Sequence, residues 1–276
     1  MKAAAFEYQR ADDISQALIL LDQDETGLGK VLGGGQSLGP MMNLRLVQPN
    51  KLIDVSLIRE LSEVTAQGES LRIGAGVRHA QIEDGQLPDV TNGLLTHVAG
   101  GIAHRAVRNR GTLGGSLVHA DPSADWVSVM SLINARLLLQ SSQQTREIAA
   151  ADFFIAAFTT AIQDDEVLVA IDVPQFSTQA RWAYKKICRK PGEFADALAA
   201  VWIDPAHDIH RAVIGALSTP PYVINGLAAI QALRDDSGLN QALDQAGITN
   251  PVDRQRQSTM LGRALDAVGL SAGGAS

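Results

Sequence analysis

The sequence predicts a mixed α+β protein with a larger first domain and a smaller second one. Apolar residues recur at helical spacing in some segments and in short runs typical of strands in others. Two glycine-rich stretches lie in the first part of the chain. A polar segment over 174–180, PQFSTQA, marks a change of composition. We therefore expect domains at 1–175 and 176–276, each long enough to bury a core.

The first domain is expected to alternate short strands and helices. Apolar residues at helical spacing over 14–21 predict a helix, which Asp12 or Asp13 can cap. Residues 40–46 read as a short helix or turn with a proline near its start. Further helices are predicted at 79–84 and 94–105, and residues 126–133 are expected to be helical or buried. Strands are predicted at 30–32, 51–55, 71–77, 135–140 and 167–173. The strand at 135–140 is expected to pair with residues 146–148.

The second domain is expected to hold a small sheet followed by helices. Strand patterns at 181–187, 197–203 and 209–217 are joined by short links, which favours three antiparallel strands. Helical patterns follow at 226–233, 238–246 and 252–268. The final residues, SAGGAS (271–276), have the composition of a disordered tail.

Composition excludes several classes of function. The net charge is −7 and no basic run occurs, so nucleic acid is not an expected partner. No apolar window approaches the ~18 residues of a membrane span, and the N-terminus lacks the apolar core of a signal peptide. A single cysteine, Cys188, favours a reducing compartment, and we expect a cytoplasmic location. One thiol cannot hold an iron–sulfur cluster, which needs about four. No metal-ligand cluster and no catalytic constellation is recognised in the chain.

The first glycine-rich stretch, Gly33–Ser37, follows a short strand and carries three consecutive glycines. Two interpretations are open. Glycines let successive N–H groups point into one concavity, which suits a phosphate, but the same residues also make a plain turn between a strand and a helix. The dinucleotide fingerprint would need glycine where Leu38 stands, and no P-loop G-K-[ST] follows.

The second stretch, RNRGTLGGSL (108–117), again combines glycines with hydroxyl side chains and follows arginines. A diphosphate-bridged ligand lying between the two stretches would need this pair, although the sequence does not establish that they converge. Downstream, Asp121 and Asp125 could accept hydrogen bonds from ribose hydroxyls. Asp121 could equally cap the following helix.

Several blocks, spaced in the same order, resemble the FAD-binding medium subunit of the molybdenum hydroxylases. This family includes subunits of carbon monoxide dehydrogenase and quinoline oxidoreductase and the flavin domain of xanthine dehydrogenase. The blocks are VLGGGQSLGPMMNLRLVQPNKLIDV (31–55), IGAGVRHAQIE (73–83), AVRNRGTLGGSLVHADPSADW (106–126), DEVLVAIDVP (165–174) and AYKKICRKPGEFA (183–195). The resemblance implies a two-lobed FAD-binding domain of the PCMH or vanillyl-alcohol-oxidase type. It also implies a C-terminal domain with a three-stranded antiparallel sheet and helices.

The resemblance implies non-covalent FAD and a set of residues that hold it. Backbone N–H groups of one turn would bind the diphosphate, and those residues are Leu32, Gly33, Gly34, Gly35, Gln36 and Ser37. The other side of the diphosphate would be lined by Thr112, Gly114, Gly115 and Ser116.

Four further positions are implied around the rest of the cofactor. Asp125 would lie near the ribose or adenine, and Ile102 and Leu168 would pack against the cofactor. Lys185 would lie near the pyrimidine edge of the isoalloxazine, where a cation stabilises negative charge on the reduced flavin. Lys186, next to it on a predicted strand, would point the other way. Lys185 could also be an ordinary strand lysine.

The implied function is electron transfer within a larger assembly. An iron–sulfur small subunit and a molybdopterin-containing large subunit would be the partners, in a dimer of heterotrimers. This chain would receive electrons from the clusters and pass them to an external acceptor. Two alternatives stay open, namely a self-sufficient flavin oxidoreductase acting on a small molecule and a non-enzymatic nucleotide-binding module. The substrate and the acceptor are not encoded in any pattern of this chain.

Overall fold

A computed structural model describes residues 2–24 and 27–270 of the chain. The strands within these ranges are β1 Glu7–Arg10, β2 Lys30–Leu32, β3 Lys51–Asp54, β4 Val64–Gln67, β5 Ser70–Gly74, β6 Arg136–Gln140, β7 Thr145–Ala149, β8 Phe154–Ala156, β9 Thr159–Thr160, β10 Val167–Pro174, β11 Arg181–Ile187, β12 Ala197–Asp204, β13 Ile209–Gly215 and β14 Tyr222–Asn225. The α-helices are α1 Ile14–Asp22, α2 Leu38–Asn43, α3 His79–Glu83, α4 Leu94–Gly100, α5 Arg105–Arg108, α6 Leu113–His119, α7 Asp125–Ile133, α8 Ala150–Phe153, α9 Leu227–Ala232, α10 Asp236–Gln245 and α11 Pro251–Ala267.

The chain begins with a small parallel sheet of order β1-β3-β2. Helix α1 packs its apolar face against β3, with Ala17, Leu18 and Ile53 buried in one cluster. Of the two predicted caps, Asp13 caps the helix, because its carboxylate accepts a hydrogen bond from the N–H of Gln16 at 2.7 Å. Strand β2 in this sheet leads directly into the first glycine turn.

The second lobe is built on an antiparallel sheet of order β4-β5-β10-β6-β7. The predicted pairing of 135–140 with 146–148 is confirmed as β6 against β7. Helices α4, α6 and α7 contribute buried residues to a large apolar cluster with strands β5, β6 and β10. The mixed α+β fold class predicted from the sequence is confirmed.

The last sheet has four antiparallel strands in the order β11-β12-β13-β14 rather than the three predicted. The additional strand β14 pairs with β13 over Arg211–Ile214. It has four residues and follows Pro220 and Pro221, so it shows too little alternation to be recognised by pattern. One face of this sheet packs against α11, through residues such as Ala199 and Val201.

The opposite face of the same sheet belongs to the core of the first part of the chain. Ala200 and Trp202 of β12 lie in the apolar cluster that contains α7. Trp202 also stacks on Phe176, with ring centroids 4.4 Å apart. The division at 175/176 stays a prediction, and the residues on either side of it share one buried interface.

Two local predictions differ from the structure. The helix expected over 94–105 is two helices, α4 and α5, because the chain turns at Gly100–His104 with Ala103 in the left-handed region at φ +44°. Residues 113–117, expected as part of a loop, form the start of α6. No helix in the described ranges is long and apolar enough to cross a membrane. The tail predicted over 271–276 lies outside the described residues.

The linker into the last sheet is held by a buried carboxylate at the end of β12. Asp204 has no exposed surface. It accepts hydrogen bonds from the Ser177 N–H at 2.9 Å, the Ser177 hydroxyl at 2.5 Å and His207 Nδ1 at 3.0 Å. Asp204 therefore holds the linker at the end of the inner strand β12.

We expect Asp204→Asn to lower the free energy of unfolding by about 1–3 kcal/mol, because the amide nitrogen cannot replace a carboxylate oxygen as acceptor. Urea unfolding at neutral pH measures this change. Asp208→Asn is the matched control, because the Asp208 side chain is 99% exposed. It should change stability by no more than about 0.5 kcal/mol. Equal stability of the two variants would contradict the role of Asp204.

Candidate functional site

The two glycine turns meet in space. A Cβ placed on Gly33 would lie 3.3 Å from the hydroxyl oxygen of Thr112. A Cβ on Gly34 would lie 2.1 Å from the carbonyl oxygen of Arg110. Only glycine allows the backbones to approach this closely, so the sequence feature that suggested a turn also permits a contact between two segments 76 residues apart, Gly34 and Arg110.

The first turn presents unbonded donors. In the part of the chain that the structure describes, the N–H groups of Gly34, Gly35, Gln36 and Ser37 donate to no other group. Gly35 adopts φ +71°, and the Gln36 side chain donates back to the Gly34 carbonyl at 3.1 Å, which orders the turn. Leu32 is tied into the sheet, since its carbonyl accepts from the Val55 N–H at 3.0 Å. Consecutive free N–H groups of this kind form a cradle for an anion.

The second turn lies beside the first but presents no free donors of its own, and its predicted contact with a diphosphate stays a prediction. Its N–H groups are used inside the chain: Gly114 donates to the Ala75 carbonyl, Gly115 to the Thr112 hydroxyl and Ser116 to the Thr112 carbonyl. Gly114 is buried, and a Cβ there would lie 2.5 Å from that of Ala75. Gly114 therefore serves close packing of α6 on β5. The surface that this turn offers to the cradle is the exposed Gly115 and the partly exposed Ser116.

A buried histidine, His79, is hydrogen-bonded to the second turn. His79 donates its backbone N–H to the Gly111 carbonyl at 3.0 Å, and its Nδ1 accepts from Trp126 Nε1 at 3.1 Å. Burial, together with the nearby charge of Arg108, lowers the pKa of His79 to about 4. The imidazole is therefore neutral at physiological pH and acts as an acceptor. No role for His79 is predictable from the sequence, because nothing local to residue 79 reveals its contact with Trp126.

Asp125 lies at the start of α7 and is only 5% exposed. Its Oδ1 accepts a hydrogen bond from the Tyr184 hydroxyl and another from Lys186 Nζ at 2.7 Å. The carboxylate thus already has partners within the chain. Its predicted contact with a ribose or adenine stays a prediction.

The two adjacent lysines of β11 face opposite sides of the sheet, as the strand alternation predicts. Lys185 pairs with Ala199, whose side chain lies in the cluster beneath α11. Lys186 points the other way, toward Asp125, and also donates to the Gly101 carbonyl at 3.0 Å. The geometry thus brings Lys186 together with Asp125 and the turn after α4, and the place of Lys185 near the flavin stays a prediction.

That turn carries Ile102, one of the predicted cofactor contacts. Arg108 donates through Nη1 to the carbonyls of Ile102 at 2.7 Å and Ala103 at 2.8 Å. Arg108 is itself held by Glu83, at 2.7 Å. Lys186 donates to the Gly101 carbonyl, so Lys186 and Arg108 together bond to three successive carbonyls just after α4. The helix dipole favours positive charge at this end of the helix.

A cavity of about 520 Å³ opens beside this turn. It is lined by Gly101, Ala103, His104, Lys186, Cys188 and Gly192, among others. Gly192 packs directly on the turn, since a Cβ there would lie 2.5 Å from the Ala103 carbonyl oxygen. Of the two predicted apolar contacts, Ile102 is half-buried next to the cavity wall, whereas Leu168 is 4% exposed within the core.

Comparison with known proteins connects this geometry to one family. The sequence profile described as FAD binding domain in molybdopterin dehydrogenase matches residues 4–176. The chain is 31% identical over 231 residues to the caffeine dehydrogenase subunit beta of Pseudomonas sp. (strain CBB1), covering 82% of this chain and 78% of that one. It is 36% identical over 196 residues to the carbon monoxide dehydrogenase medium chain of Hydrogenophaga pseudoflava, covering 71% and 68%.

A solved structure resembles the whole chain. It is that of carbon monoxide dehydrogenase from Hydrogenophaga pseudoflava lacking the Mo-pyranopterin moiety of the molybdenum cofactor. The likeness has a TM-score of 0.85 at 31% identity and covers 98% of this chain and 99% of that one. It therefore includes the last sheet and helices, which lie beyond the residues matched by the family profile.

We expect Gly34→Ala to weaken FAD binding by about 10-fold or more, because the added Cβ would collide with the Arg110 carbonyl and strain of about 1–3 kcal/mol would push the turns apart. Titration of the purified chain with FAD, followed by flavin fluorescence, measures the affinity. Gly39→Ala is the control, since a Cβ there meets nothing within 4 Å. A folded Gly34→Ala protein with unchanged affinity would contradict the contact.

We expect acid to destabilise the chain partly through His79. Its folded pKa of about 4 lies below the ordinary value of 6.5, so the unfolded chain binds more protons and stability falls as the pH drops below about 6.5. Between pH 7 and 5.5 the loss attributable to His79 should be about 1 kcal/mol.

Urea unfolding of wild type and His79→Gln at both pH values tests this. Glutamine retains an acceptor for Trp126 but does not titrate in this range. The pH dependence should therefore be smaller in the variant by about 1 kcal/mol. Identical pH dependence in the two proteins would show that His79 does not contribute.

Proposed function

The chain belongs to the family of FAD-binding domains in molybdopterin dehydrogenases, and from this membership we propose that it is the electron-transferring flavoprotein subunit of a molybdenum hydroxylase. Its relatives are subunits of dehydrogenases, including a medium chain of carbon monoxide dehydrogenase. The observation that supports the proposal most directly is the anion cradle at Gly34–Ser37, where two turns meet.

The residues present fit a bound FAD. The diphosphate of FAD needs several donors in a small volume, and four consecutive free N–H groups supply them. The glycines at this point leave no Cβ between the backbone and a ligand. We propose that Leu32–Ser37 hold the diphosphate without a covalent bond. Gly115 and Ser116 would face it from the opposite side, with the buried Thr112 and Gly114 packed behind them.

Bound FAD supplies the redox chemistry, accepting electrons singly or in pairs. The chain's own residues bind and orient it. We propose that Lys186, which lines the cavity, positions the turn at Gly101, and that Lys185 lies near the pyrimidine edge of the isoalloxazine. A positive charge there favours the reduced cofactor. Ile102, on the turn that Lys186 holds, is the proposed apolar contact, and no residue needs to act as a general acid or base.

The chain works as part of a multi-subunit enzyme, as the medium-chain relatives do. We propose that its partners are an iron–sulfur subunit and a molybdopterin-containing subunit, assembled as a dimer of heterotrimers in the cytoplasm. The single cysteine of the chain supports this division of labour, because it cannot supply the thiolates of an iron–sulfur cluster. Substrate oxidation would take place on the molybdenum-containing partner.

The test is purification of the full chain alone and with its native partners. We expect the chain alone to bind one FAD and to carry neither iron nor molybdenum, because residues 2–24 and 27–270 build an anion cradle and no group of side chains that could hold a metal ion. The assembly should contain all three. Absorbance at flavin wavelengths and metal analysis give the stoichiometries. A chain that takes up no FAD, or an assembly without molybdenum, would overturn the proposal.

A further inference from the structure

We propose that Tyr184 is a positioning residue for the flavin site, acting through Asp125 and Lys186 on the turn Gly101–Ala103. Tyr184 itself is buried and points into the core from β11. The inference rests on the proposed function for the identity of the cofactor. The contacts that carry it lie within the chain.

The three side chains share one oxygen atom. Asp125 Oδ1 accepts from the Tyr184 hydroxyl and from Lys186 Nζ. Lys186 and Asp125 side chains are 12% and 6% exposed, so water contributes little to either charge. A buried ion pair needs further hydrogen bonds to offset its loss of hydration. Tyr184 supplies one of them, and it is the neutral donor that leaves the charges of the pair balanced.

Tyr184 is suited to be a permanent donor. Burial, followed by the neighbouring charge of Asp125, raises the pKa of the Tyr184 hydroxyl well above its ordinary value of 10. The hydroxyl therefore stays protonated at any physiological pH. A hydrogen bond to an ionised acceptor is roughly twice as strong as one between neutral groups, so the carboxylate orientation depends on it.

These contacts determine the position of the Lys186 ammonium. Nζ bridges Asp125 at 2.7 Å and the Gly101 carbonyl at 3.0 Å. Gly101 begins a turn in which Ala103 has φ +44°, a conformation that persists only when its surroundings hold it. Arg108 donates to the next two carbonyls, those of Ile102 and Ala103. Lys186 is the residue of the last sheet that bonds to this turn, and Tyr184 influences its position through Asp125.

The tyrosine ring has a separate packing role, which allows the hydroxyl to be tested alone. His97 of α4 packs against the ring edge, with centroids 6.2 Å apart. Phenylalanine would keep this contact and the buried volume. Tyr184→Phe should therefore fold and lose only the hydrogen bond to Asp125.

The experiment compares Tyr184→Phe with Tyr222→Phe in the full-length chain. Tyr222 likewise loses a hydroxyl, which donates to the Gln245 side chain of α10 at an exposed position, and its strand β14 lies at the opposite edge of the sheet from β11. Hydrogen exchange of peptides covering 101–104 is measured without cofactor, and the FAD dissociation constant and midpoint potential are measured with it. We expect about 10-fold faster exchange and about 10-fold weaker binding in Tyr184→Phe. The midpoint potential should shift as well, and Tyr222→Phe should match wild type in all three measurements.

Lys186→Met supplies the second arm. Because the tyrosine is inferred to act through the lysine, Tyr184→Phe should add no further effect on exchange in the Lys186→Met background. If Tyr184→Phe did not fold, Lys186→Met would still have to reproduce the faster exchange at 101–104. Wild-type exchange in both single variants, or fully additive effects, would overturn the inference. Failure of the wild-type chain to bind FAD would instead overturn the proposed function. The exchange measurement, made without cofactor, would still test whether Tyr184 positions the turn.

Discussion

Helix α7 is buried along its whole length, and the arrangement of the other elements follows from covering it. All nine residues from Asp125 to Ile133 are buried. A short helix in this position must be enclosed on every side, here by the five-stranded sheet and α6 on one side and by the four-stranded sheet on the other. The two parts of the chain therefore meet on α7, which covers the face of the four-stranded sheet that α11 leaves open.

The polar groups at the two ends of α7 explain how the helix is oriented. At its start, the buried Asp125 needs partners and receives them from Tyr184 and Lys186. At its end, Arg211 of β13 donates to the carbonyls of Leu132 at 2.6 Å and Ser131 at 3.1 Å. Both sets of partners come from the last sheet, so the same contacts that satisfy the helix ends also dock that sheet.

The proposed cofactor site is attached to this central helix by short chains of contacts. Trp126 of α7 donates to His79, and His79 supports the second glycine turn. Asp125 leads through Lys186 to the turn at Gly101. The diphosphate cradle and the cavity wall are thus positioned by buried groups rather than by flexible loops, as precise placement of a cofactor requires.

The sequence determined the local elements and the class of ligand. Hydrophobic periodicity located most of the longer helices and strands, since a 3.6-residue or 2-residue repeat is visible in the chain itself. It did not locate the short elements β1, β4, β8, β9 and α8, which carry too few residues to show a repeat. Strand β14 was not predicted either, because its four residues follow two prolines and are too few to show an alternation of apolar and polar residues. The glycines at 33–35 suggested an anion cradle, and the order of the blocks indicated the family.

Tertiary structure decided the residue-level roles, because they depend on groups far apart in the chain. Gly34 is required by the Arg110 carbonyl, and Gly114 by Ala75. Alternation along β11 established that Lys185 and Lys186 face opposite sides, but it could not tell which face meets Asp125. That choice rests on which side of the sheet covers α7, a contact between residues about 60 positions apart that no local pattern records.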